Sequence, residues 1–104
     1  KGVTLEENDI ARFPDAPTQR GVKHVEELIR CQEDGYEAYL LFVIQMKGVK
    51  RFEPNWTMHH EFGEALQRAQ KAGVKLIARD CLVTEDTIEI QDPVEICLVE
   101  KNHA

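Results

Sequence analysis

An unbroken apolar run, Ala38 to Ile44, sits at the centre of this chain and limits the folds open to it. With its flanks, Glu37 to Gln45, it is dense in Leu, Phe, Val and Ile and shows no polar alternation. Such a run suits a strand covered on both faces, as in a parallel sheet. It falls far short of the roughly 18 apolar residues needed to cross a bilayer, and no other run is longer, so no membrane partner is expected.

The segments on either side carry helical periodicity. Thr18 is a good N-cap, and the spacing predicts a helix from Gln19 to Glu33 with Val22, Val25, Leu28, Ile29 and Gln32 inward and Gly35 as its stop. A second helix begins around His59, with Phe62, Ala65, Leu66 and Ala69 as its apolar face and Ala72-Gly73 as its end. Upstream, Val3 to Glu6 and Ile10 to Phe13 read as short strands joined by the turn Glu7-Asn8-Asp9. Gly48 to Thr57 reads as a loop, Val74 to Val83 as a long strand, and Thr87 to Ile90 and Val94 to Val99 as strands separated at Asp92-Pro93. Lys101 to Ala104 is expected to fray. Two helical crossovers imply right-handed βαβ units. The expected class is α/β, a mixed sheet flanked by helices, in a single domain of 104 residues.

Composition narrows the function. The formal net charge is -6, which argues against a broad nucleic-acid-binding surface, although local clustering of Lys and Arg could override it. The three cysteines, Cys31, Cys81 and Cys97, form no C-x-x-C and read as buried reduced thiols of a cytosolic protein rather than as metal ligands.

Arg20, Lys23 and His24 fall at i, i+3 and i+4 near a helix start, so they share one face. Cations there oppose the helix dipole, and together with free N–H groups they make a phosphate site; the alternative is a solvated face paired with Asp15, Glu26 and Glu27. Asp15, between Pro14 and Pro17, could cap the helix, pair with Arg20 or bind a metal. Gln45 ends the central strand, where ligands bind in open α/β sheets. The adjacent His59 and His60 diverge by about 100° on a helix and read as exposed helix-start residues. His103 reads as inert, and Trp56 either packs under its loop or stacks on a base.

The run Phe13-Pro14-Asp15-Ala16-Pro17-Thr18, with Arg20-Gly21 and Lys23-His24, resembles a signature of the sugar fermentation stimulation protein A (SfsA) family. Lys1 to Leu5 and Tyr39 to Gln45 resemble it as well, and Phe52 to Leu66 and Ala69 to Val74 do so more weakly. The resemblance implies an N-terminal OB-like domain followed by a domain like the PD-(D/E)xK nuclease fold, of which this chain is read as the C-terminal part. It also implies DNA as partner and a link to sugar, notably maltose, metabolism. Lys1 would then be the lysine of an E-x-K element, acting on the attacking water. The carboxylates that hold the metal, Mg2+ as cofactor of the full-length protein, would lie upstream, leaving no cofactor in the chain itself. Arg20, Lys23 and His24 map onto the family's R-G-x-K-H segment and Gln45 onto the Gln ending its central strand. His59-His60-Glu61-Phe62 departs from the family's Asp-Pro before the Phe.

Three functions follow as expectations. They are a DNA-binding protein of nuclease-like ancestry, a metal-dependent phosphodiesterase in the full-length protein, and a non-catalytic module binding an anion or a protein. A sheet edge left exposed could pair two copies into a homodimer.

Overall fold

The computed structural model describes residues 1–3 and 5–100. Its elements run β1 (Gly2–Val3), β2 (Leu5–Glu7), β3 (Ile10–Phe13), α1 (Gln19–Glu33), β4 (Tyr39–Ile44), β5 (Arg51–Pro54), α2 (His60–Ala72), β6 (Lys75–Val83) and β7 (Ile88–Ile96). The sheet order is β1-β4-β6-β7-β5-β3-β2. β1 and β2 stand at opposite edges although they are near neighbours in the chain, so the sheet must curl round to bring its edges together.

Local signals set the helix ends. The Thr18 hydroxyl accepts the Gly21 N–H at 3.0 Å, the N-cap geometry that a β-hydroxyl supplies. Gly35 and Gly73 follow the helices at φ 96° and 101°, a left-handed conformation that glycine reaches without steric cost. The β2–β3 hairpin turns through Asn8 and Asp9, both at positive φ, as a tight hairpin requires.

The core forms where the sheet faces the helices. Leu40, Phe42 and Ile44 alternate inward from β4 and meet Val22 and Val25 of α1 and Phe62, Ala65, Leu66 and Ala69 of α2. Phe42 stacks on Phe52 at a centroid distance of 4.3 Å, and Phe13 meets Phe42 at 6.1 Å and Phe62 at 5.3 Å.

Four sequence expectations need correction. β4 is not covered equally on both faces, since Tyr39 is exposed and Leu41 and Val43 are only half-buried. The expected strand Val3 to Glu6 is divided between β1, which pairs with β4, and β2, which pairs with β3. The expected loop Gly48 to Thr57 contains β5, parallel to both β3 and β7. Its buried Glu53 hides the strand from a hydrophobic pattern, because the carboxylate is neutralised by Arg51 and by Arg12 of β3. Finally, β7 runs unbroken through Pro93, which lies opposite Arg79 beside a register shift in β6. Proline is tolerated at such an irregularity, where no regular ladder bond is lost.

The parallel neighbours also differ from simple adjacent βαβ units. β3 lies beside β5 and β4 beside β6, so the α2 crossover is nested inside the α1 crossover. Cys81 is buried as expected, Cys97 is half-buried and Cys31 is exposed. Residues 101–104, including His103, lie outside the described residues. No helix among the described residues is long and apolar enough to cross a membrane.

Gly63 lies inside α2, where glycine ordinarily costs about 1 kcal/mol relative to alanine. The benzo edge of Trp56 explains it: a Cβ on Gly63 would sit 2.5 Å from both Cε3 and Cζ3. Trp56, half-buried, therefore packs its benzo ring against α2 under its loop. Gly63→Ala is expected to lower stability by about 1–2 kcal/mol despite its better helix propensity, because overpacking outweighs it. Urea denaturation followed by the fluorescence of the single tryptophan measures this.

Candidate phosphate-binding cleft

Two elements build the cleft. The backbone of Lys1 continues the β1–β4 ladder, with its carbonyl accepting from Val43 N at 2.7 Å. Lys1 shares a face with the buried Val3 by strand alternation, so its side chain turns towards the helices. Its Nζ lies 5.8 Å from the centre of the Phe13 ring.

The second element is the first turn of α1, which contains no acidic residue. Arg20, Lys23 and His24 project from it, all exposed. Among the described residues none of the three makes an ion pair: Glu26 pairs with Arg68 instead. The reading of these cations as a charge-paired surface is thus not what forms. Gly21 allows the close approach, since a Cβ there would lie 2.9 Å from the Thr18 hydroxyl oxygen and 3.2 Å from Phe62.

Lys1, Thr18, Arg20, Gly21, Lys23, His24 and Glu27 line one open cleft of about 510 Å³. Partial burial, and then the charge of Arg20, hold the Lys1 ammonium below the usual lysine range. An anion in the cleft would relieve the repulsion between these cations, which is the electrostatic condition for binding phosphate.

The remaining sequence candidates lie elsewhere. Gln45 is exposed, with its amide against Gly2, and it does not line the cleft. It has the β4 parity opposite to Phe42 and Ile44, so pleating turns it from the helices. Asp15 is exposed and does not cap α1; Thr18 does.

His59 is also corrected. Its side chain is only 10% exposed, and its Nδ1 accepts the Thr18 N–H at 3.0 Å. A contact between residues 41 apart carries no local sequence signal. Glu27 was visible at i+3 from His24 and i+4 from Lys23, but it entered the sequence reading only as a pairing partner.

His60 is exposed, as expected, and its ring sits 2.8 Å from Glu100 and 3.3 Å from Glu64. The hydrogen bond to Glu100, then the surrounding carboxylates, raise its pKa above 6.5. A raised pKa means that this tether is complete below pH 6.5 and is lost as pH rises through the folded-state value. An NMR titration should place the His60 midpoint above 6.5, and the protection of the Leu98–Glu100 amides relative to an unfolded chain at the same pH should fall on the alkaline side.

Sequence reasoning also missed Asp80. It is buried, accepts the Asp92 N–H at 2.9 Å and meets Lys47 Nζ at 3.2 Å. Burial pushes its carboxyl up, but the Asp92 N–H and Lys47 outweigh this and hold it below 3.8. Asp80 pins the irregular register of β6 and β7 and stands apart from the cleft's lining.

The family model described as the sugar fermentation stimulation protein RE domain, SfsA, matches residues 1–87. The chain belongs to the SfsA family. It is 59% identical over 98 residues to a sugar fermentation stimulation protein homolog of Clostridium beijerinckii, covering 94% of this chain and 43% of that protein. It is 58% identical over 98 residues to the homolog of Ruminiclostridium cellulolyticum, again covering 94% of this chain and 43% of the relative. A solved structure of Pyrococcus furiosus SfsA in complex with Ca2+ superposes with a TM-score of 0.84 at 29% identity, over 92% of this chain and 42% of that one. The chain thus spans less than half the length of the family members it matches.

A divalent cation does not fit the residues of the cleft. Mg2+ and Ca2+ are held by several oxygen ligands, and here a single carboxylate, Glu27, stands among Lys1, Arg20, Lys23 and His24. Among the described residues no group of three or more His, Cys, Asp or Glu is placed to hold a metal.

Proposed function

We propose that the cleft at the start of α1 docks phosphate, and that through it the full-length protein binds DNA as a cytoplasmic protein linked to sugar, notably maltose, metabolism. One observation carries this reading: Lys1, Arg20, Lys23 and His24 converge on one open cleft with no ion-pair partner for the three helix cations among the described residues. The framework is read as nuclease-like, of PD-(D/E)xK type, with Lys1 as its catalytic-type lysine. Phosphate neutralisation releases counterions, so affinity for a DNA duplex should fall steeply with salt. An affinity unchanged between low and high salt would refute the reading. With a net charge of -6 in this chain, contacts outside it supply much of the affinity.

A second reading, a metal-dependent phosphodiesterase in the full-length protein, is favoured by the lowered Lys1 pKa and by the Ca2+ bound by the Pyrococcus furiosus protein. In such chemistry a lysine with a lowered pKa can accept or position a proton of the attacking water. The metal ligands would come from residues outside these 104, so the chain alone is expected not to cleave DNA. Mg2+-dependent cleavage by the purified chain is the measurement that would contradict this.

A homodimer would pair two copies through an edge strand of the sheet, β1 or β2. Light scattering that shows only monomer at high concentration would exclude it.

A further inference from the structure

His59 occupies the N-cap position of α2 yet makes no capping bond to its own helix. Its ring faces α1 instead, where Nδ1 accepts the Thr18 N–H at 3.0 Å. Its backbone N–H donates to the Asn55 carbonyl at 3.0 Å. Asn55 in turn holds the other end of the same turn, donating from Nδ2 to the Pro14 carbonyl at 3.0 Å and from its backbone N to the Phe13 carbonyl at 2.9 Å. The turn that launches α1 is therefore clamped at both ends by the segment that launches α2.

We infer that His59 is the positioning residue of the phosphate cleft, a role that rests on the docking function proposed above. The neutral imidazole fixes Thr18, and Thr18 fixes the first turn of α1, which carries Arg20, Lys23 and His24 towards Lys1. An accepting Nδ1 keeps its lone pair, so the ring proton sits on Nε2. Nε2 faces the Glu61 carboxylate at 3.8 Å, which favours a proton at that position, while the Gln19 amide nitrogen 3.4 Å away, itself a donor, is taken up by Glu61 at 3.3 Å rather than by the ring. A ring protonated on Nδ1 would point a donor at the Thr18 donor and open the clamp.

The full-length protein provides the test. In the wild type, ¹⁵N spectra of the His59 ring should show an unprotonated Nδ1. His59→Ala should weaken binding of a short DNA duplex about tenfold, the worth of one lost orienting hydrogen bond. His59→Asn, whose carbonyl oxygen stands where Nδ1 does, should restore most of that affinity and the Thr18 amide shift. Asp80→Asn, which loosens the β6–β7 register apart from the cleft's lining, should leave affinity unchanged. Wild-type affinity in His59→Ala would overturn the inference, as would a ring protonated on Nδ1. If His59→Ala does not fold, the Asn variant and the wild-type ring spectrum decide. If the wild type binds no duplex, the docking function fails, while the ring spectrum and the Thr18 shift still decide whether the clamp exists.

Discussion

Phe42→Ala is expected to cost about 3–5 kcal/mol, enough to remove much of the stability of a domain this size. Phe42 is fully buried at the middle of β4, stacked on Phe52 and tilted against Phe13. Those rings come from β3 and β5, which pair with each other, and from β4, which β6 and β7 separate from them in the sheet order. Truncation opens a cavity where the curl of the sheet brings its two halves together, and backbone hydrogen bonds on each strand resist collapse around the gap. Urea denaturation of the variant against the wild type measures the loss, and a change under 1 kcal/mol would mean that the aromatic cluster is not the centre of the core.

Arg20→Ala combined with Lys23→Ala is expected to weaken DNA binding by the full-length protein tenfold to a hundredfold, on the order of what two charge-assisted contacts contribute. It should also flatten the dependence of log affinity on log salt by roughly 2, since each lost phosphate contact removes about 0.9 from the slope. Both side chains are exposed and outside the core, so thermal stability should hardly move. Removing two cations from the dipole's positive end should, if anything, favour the helix. Fluorescence anisotropy at several salt concentrations tests the pair. An unchanged slope would show that these cations meet no phosphate, whatever happened to the affinity.

Glu53 shows how the sequence can mislead. A carboxylate in the stretch Arg51–Pro54 argues for a loop, and the structure places that stretch in the middle of the sheet. The charge is tolerated because Arg51 in the same strand pairs with it and Arg12, on another strand, closes in within 3.8 Å once the sheet forms. Asp80 and His59 go further: each accepts a backbone N–H from a residue at least 12 positions away. Local pattern cannot anticipate a partner it does not contain.

Elements with local causes were readable in advance. The α1 span Gln19–Glu33 follows from a hydroxyl cap, an apolar stripe at helical spacing and a glycine stop, and the apolar face of α2 follows from the same periodicity. The common face of Arg20, Lys23 and His24 needs only the helical repeat. What the chain alone could not settle was which surface those three cations would meet. Folding brought Lys1 to them, kept Glu26 away on Arg68, turned Gln45 to the other face and buried His59 beneath the turn. Helix periodicity and caps act over a few residues and are written in the order of the amino acids. The cleft depends on how a curled sheet brings distant strands and helix starts together, and that is decided only when the core packs.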